Sequence, residues 1–285
     1  MHIAFSTVAC PDWTLERVFS FADEVEYDGV ELRTFGWGAS ALTCEPALTD
    51  AAKLRRLAAG SGTVLATLAT SCRFDALIRP PVLGHLLPGR RVEVETARRC
   101  IALADELECP AVRVFAFETH GSERRERATL RIVERLREAC DAARARRVRV
   151  LLENGGSFPT ARDIARVIEQ VESPCLGAAY NVAVAHAAGE DPASAPDTLG
   201  ERMWSVKIKD IRRKTPVEPG TGDVPLRPFV ERLARSGYVG WLVVEWVRLW
   251  APELAEPEGV LRRAVDRLRE WESVAPASSR LRARS

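Results

Sequence analysis

The sequence reads as a single (β/α)8 (TIM) barrel of the α/β class, on three observations. Short apolar strands alternate with amphipathic helical stretches from one end of the chain to the other. The alternation reaches eight strands with eight intervening segments. A doubly wound open sheet would need a glycine fingerprint after the first strand, and Ser6-Thr-Val-Ala-Cys10 has none. No domain boundary appears, so residues 1–273 are expected to form the barrel and 274–285 a polar, basic, disordered tail.

In order, Ile3–Ser6 is a strand and Thr14–Glu26 a helix, with Leu15, Val18, Phe19 and Ala22 on one face. Gly29–Arg33 is the second strand, and Asp50–Ala59 is a helix stopped by Gly60-Ser-Gly62. Val64–Ser71 is the third strand. Leu77–Arg90 breaks the rhythm as a long loop, with Pro80-Pro81 and Pro88-Gly89. Helix Val92–Glu108, strand Ala111–Phe115, helix Glu123–Arg146, strand Arg147–Glu153 and helix Thr160–Val171 follow. Strand Leu176–Tyr180 leads into a weakly helical segment rich in Ala, Asp and Pro. Strand Trp204–Lys209, helix Leu226–Ser236, strand Trp241–Glu245 and helix Glu258–Trp271 complete the set.

The net charge of +1 gives no footprint for nucleic acid or an acidic membrane. No stretch is long and apolar enough to span a bilayer, and the start lacks the basic and apolar regions of a signal peptide. The seven cysteines are scattered without a Cys-x-x-Cys pair, as reduced thiols of a cytoplasmic protein would be.

Function is sought where barrel strands run out at their carboxyl ends. Strands of a parallel barrel are covered by helices outside, so a polar residue in phase with its strand's inner face looks into the barrel. Trp204-Ser-Val-Lys-Ile-Lys-Asp210 shows this most openly, since Val206 and Ile208 take the helix side and leave Ser205, Lys207 and Lys209 inward. The same phase sends Glu31, Arg33, Arg113, Glu153 and Glu245 inward, with Asn181, Ser71 and Arg73 at or just past strand ends. A lysine among converging carboxylates is costly unless used, which singles out Glu153, Lys207 and Glu245 as catalytic candidates. Arg33, Ser71, Arg73, Arg113 and Asn181 are candidates for holding an anionic small-molecule substrate. Glu31 is expected to pair with Arg33, and Lys209 with Asp210.

Six pieces, taken in order, resemble the sugar phosphate isomerase/epimerase family of xylose isomerase-like barrels. They are Tyr27-Asp-Gly-Val-Glu-Leu-Arg33, Leu152-Glu-Asn154, Ala188-Gly-Glu-Asp-Pro192, Val206-Lys-Ile-Lys-Asp210, Gly220-Thr-Gly-Asp223, and Gly237-Tyr-Val-Gly240 leading to Val244-Glu245. The resemblance implies a divalent metal (Mn, Mg or Zn) held by Glu on strand five, Asp with a nearby His or Asn after strand six, His on strand seven and Glu on strand eight. It also implies that the two glutamates move protons beside a carbonyl. By position these are Glu153, Asn181 with Val184, Lys207 and Glu245. If a metal binds, Glu153, Asn181 and Glu245 would hold it. A hard cation wants anionic oxygens, however, and a protonated lysine offers no lone pair. The expectation is therefore a site without metal or other cofactor, in which Lys207 carries the positive charge. The apurinic-site nuclease branch, which needs a histidine-rich zinc site, does not suit four scattered histidines; His120 and His186 are expected on loop or helix surface.

Isomerisation, epimerisation and dehydration of a small sugar, polyol or keto acid share one first step, proton abstraction next to the carbonyl, and all stay open. So do a Schiff base at a neutral Lys207 and a barrel that binds a small molecule without catalysis. Leu77–Arg90 and the segment carrying Trp246, Trp250 and Leu254 suit either lids over a ligand or an oligomer contact such as a homodimer.

Overall fold

The computed structural model describes residues 1–35, 41–42, 51–76, 92–121 and 123–273. The chain runs β1 (His2–Ser6), α1 (Leu15–Glu24), β2 (Gly29–Phe35), the short β3 (Ala41–Leu42), α2 (Ala51–Ser61), β4 (Val64–Arg73), α3 (Val92–Glu106) and β5 (Ala111–Phe115). It continues through α4 (Arg125–Arg144), β6 (Arg149–Glu153), α5 (Ala161–Val171), β7 (Leu176–Asn181), α6 (Val182–Ala187) and α7 (Ala195–Leu199). Then come β8 (Met203–Ile208), β9 (Asp210–Arg212), β10 (Thr215–Val217), α8 (Leu226–Arg235), β11 (Trp241–Val244) and α9 (Pro257–Ser273). Strands β1, β2, β4, β5, β6, β7, β8 and β11 pair in parallel in that order, and β1 bonds both β2 and β11, which closes the barrel.

The helices cover one face of each strand. Val30, Leu32, Val112, Val114, Leu152, Val206, Ile208 and Val244 join the helix faces in the main apolar core. Local signals set the helix ends. Thr14 accepts the Arg17 N–H, and Thr160 and Asp163 form a reciprocal capping box on α5.

The inner face is layered. At the amino end, Ala4, Ala66 and Val243 pack with Trp241, and Ala111, Leu151 and Ala179 with Trp204. A Cβ on Gly29 would lie 2.7 Å from the Trp241 ring, and one on Gly177 would meet the Trp204 ring. The two indoles thus plug the barrel floor where the facing strands carry no side chain. The charged head groups of the inner face meet above that floor, toward the carboxyl mouth.

Some boundaries differ from expectation. β2 and β4 run two residues further than their alternation suggested, so Arg73 lies on a strand. The antiparallel pair β9–β10 follows β8. Its turn holds Arg213 and Lys214 at positive φ (49° and 74°), without the glycine or asparagine that would announce it. The expected loop Leu77–Arg90 and the tail 274–285 lie outside the described residues.

Candidate active site

Lys207 is completely buried, and its ammonium ion-pairs with Glu31 and, at 3.1 Å, with Oε2 of Glu245. Register explains the reach. Lys207, Val243, Ala4 and Gly29 stand level across four strands, so Glu31 lies two residues further up β2, within range of a four-carbon stem. Two expectations are corrected. The ion pair of Glu31 is with Lys207 rather than with Arg33, and Lys209 lies 3.7 Å from Oε1 of Glu245 rather than pairing with Asp210. Neighbours along a strand were the candidates that local sequence offered; closure of the barrel supplied others.

Glu153 ends β6, level with Phe115 of β5. Its Oε1 accepts a bond from Nδ2 of Asn181 at 2.9 Å, and its Oε2 lies 3.1 Å from Nε of Arg113 without an aligned hydrogen bond. Asn181, at the end of β7, is fixed in turn. Asn154 bonds both its backbone N–H and its carbonyl, and its Oδ1 accepts the Val184 N–H at 3.2 Å as the N-cap of α6.

The two carboxyl groups are shifted in opposite directions. Burial pushes the Glu153 carboxyl above the ordinary carboxylate range, outweighing the cations Arg113 and Lys207. Burial also pushes Glu245 up, but Lys207, then Lys209 and Arg113, overcome it and hold that carboxyl at about 2. For Lys207 burial favours the neutral amine, yet Glu31, Glu245 and Glu153 outweigh it and raise the ammonium above its ordinary value.

Arg33 donates from Nη1 to the Ala69 carbonyl at 3.2 Å and from Nη2 to Oγ of Ser71 at 2.7 Å, with the Trp250 ring 5.8 Å away. Arg73 points elsewhere. It is about half exposed, pairs with the buried Asp75 and lies over the Phe117 ring. His120 lies on the loop after β5, a third exposed, with its Nε2 3.3 Å from Oδ2 of the buried Asp75. Trp246 is buried with its indole N–H on the Ala255 carbonyl, which leaves Trp250 as the exposed ring.

Two supporting residues were not singled out in the sequence. Asp210 accepts the backbone N–H groups of Ile211, Gly220, Gly222 and Val224, and so shapes the Gly220-Thr-Gly-Asp223 loop beside the mouth. Glu190 accepts the Ala161 N–H at the start of α5 and the Tyr180 hydroxyl. The motifs that contain them were the available signal.

The donor set does not fit a divalent cation. Both carboxylates face cations, the Asn181 oxygen already caps a helix, and Lys207 is an ammonium without a lone pair to offer. Among the described residues, no three His, Cys, Asp or Glu side chains converge on a point that would hold a metal. Among the described residues, none of His2, His120 and His186 lies on β8 or β11.

A family model for the xylose isomerase-like TIM barrel matches residues 19–271. The fructoselysine 3-epimerase of Shigella flexneri is 24% identical over 265 residues, spanning 90% of this chain and 92% of that protein. The IolI protein, solved with a bound zinc atom, superposes with a TM-score of 0.80 at 17% identity, over 97% of this chain and 100% of its own. The probable 3-DHS dehydratase AsbF of Bacillus anthracis superposes with a TM-score of 0.75 at 14% identity, over 94% and 99%. The likeness to these two structures is one of fold.

Proposed function

Because the chain belongs to the xylose isomerase-like TIM barrel family, we propose that it is an isomerase- or epimerase-like enzyme acting on a small sugar, polyol or keto acid. It removes a proton next to the substrate's carbonyl, with the Lys207 ammonium in the role that a divalent metal has in relatives. The observation that carries this reading is the buried Lys207 ammonium, held by Glu31 and Glu245 in the same mouth as Glu153.

One carboxylate removes the proton and, protonated by that step, gives it back to the product. Glu153 suits removal, because its Oε2 has no aligned donor and keeps a lone pair for the incoming proton. The electron pair left on carbon moves onto the carbonyl oxygen, and the enolate so formed is stabilised by the Lys207 ammonium. Glu245 keeps that ammonium in place. Protonation at the adjacent carbon gives an isomer, protonation on the opposite face by solvent water an epimer, and loss of a β-hydroxyl as water a dehydration product. The carboxylates around Lys207 favour its charged form, which supports an electrostatic role over a Schiff base.

A panel of ketoses and keto acids incubated with the enzyme in D2O tests the reaction by NMR. Deuterium should enter the carbon beside the carbonyl, and Lys207→Met and Glu153→Gln should each slow uptake by about 100-fold or more. Uptake unaffected by both substitutions would overturn the assignment. Stoichiometric Mn, Mg or Zn in protein purified without chelators would overturn the metal-free part.

A further inference from the structure

Two inward arginines stand on either side of a methyl group. Arg33 of β2, Ala69 of β4 and Arg113 of β5 are directly in register, and residues in register in a parallel sheet point to the same face. Two strand spacings separate the arginine backbones by about 10 Å. Ala69 places only a methyl group between them, and the Ser71 hydroxyl, already accepting from Arg33, keeps its hydrogen to donate. The arginines are only 7% and 4% exposed. Burial first and then the Arg113 charge pull the Arg33 guanidinium down to about 10. Like charges brought together out of water repel, and an anion between them relieves the repulsion. Trp250, 56% exposed, flanks Arg33.

We infer that this cradle receives a carboxylate of the substrate, held between Arg33 and Arg113 with the Ser71 hydroxyl as a third donor. The charge of the mouth selects a monoanion. Arg33, Arg113, Lys207 and Lys209 act together with Glu31, Glu153 and Glu245, one cation more than carboxylates among the described residues. A single negative charge completes that set, and a phosphate dianion overfills it. The inference rests on the proposed carbonyl chemistry for where the reacting carbon lies, and it narrows the substrate to a sugar acid or keto acid.

Isothermal titration of the whole protein, at constant ionic strength set with sodium chloride, tests it with four probes: pyruvate, gluconate, inorganic phosphate and D-fructose. Saturable binding is expected for pyruvate or gluconate and not for phosphate or D-fructose. Arg33→Gln should weaken it about tenfold or more, and Arg33→Lys should recover part of the loss. If Arg33→Gln does not fold, Ser71→Ala should still weaken carboxylate binding. Tighter binding of phosphate, equal binding by the variants, or no saturable carboxylate binding would each overturn the assignment. The two readings fail separately. Carboxylate binding without deuterium uptake from any compound removes the proposed chemistry and leaves the cradle; uptake from neutral ketoses without carboxylate binding removes the cradle alone.

Discussion

Glu153 and Glu245 are the same residue type in one mouth, and their partners separate them. Glu245 takes two ammonium groups, whereas Glu153 has Arg113 and the neutral Asn181 against complete burial. The folded Glu245 carboxyl sits at about 2 against an ordinary 4.5, so the fold favours its charged form. That contribution, about 3 kcal/mol, is fully present above the ordinary value and is lost as pH falls through about 2. Glu153 has the opposite sign, because its raised carboxyl makes the charge a cost to the fold above the ordinary carboxylate value. Chemical denaturation at pH 7 should therefore show Glu245→Gln destabilised by about 3 kcal/mol, a difference that shrinks on acidification. Glu153→Gln should be as stable as the parent or more so, while losing deuterium uptake. A destabilised Glu153→Gln beside an unaffected Glu245→Gln would contradict this division. The sequence showed both glutamates facing inward, but not which cations each would meet.

At the scale of elements, inward phase was legible in β2, β5, β6, β8 and β11. A strand covered by helices leaves only one face for Glu31, Arg113, Glu153, Lys207 or Glu245 to take. The hairpin β9–β10 was not legible, because Arg213 and Lys214 adopt positive φ without the usual turn residues. Its partner loop depends on Asp210, which reads as the ion partner of Lys209 until its four backbone donors are seen. Asp210→Ala should leave those amides without their acceptor and cost on the order of 2–4 kcal/mol. Hydrogen exchange should rise at Gly220–Val224 and not in β8. Unchanged protection of that loop would show that Asp210 does not organise it.

For the whole molecule, closure is what gathers the site. Glu31 and Lys207 are 176 residues apart and meet only because β1 bonds both β2 and β11. Direct strand pairing sets Glu153, Asn181, Lys207 and Glu245 on successive strands, in the positions where the resemblance implies metal ligands. An Asn181→Asp, Lys207→His double variant should therefore restore an anionic oxygen and an imidazole to the cluster. Elemental analysis should then find a divalent metal, zinc most readily, near one equivalent above the parent protein. No gain would mean that Arg113 and Lys209 still exclude the cation. From the sequence alone came the number of strands, their order and the face each polar residue takes, since a period of two in a covered strand is a local property. The tertiary structure decided who pairs with whom: Lys207 with Glu31, Lys209 with Glu245, and Arg33 level with Arg113 across Ala69. Those pairings depend on register and side-chain reach across a closed barrel, which no local pattern encodes.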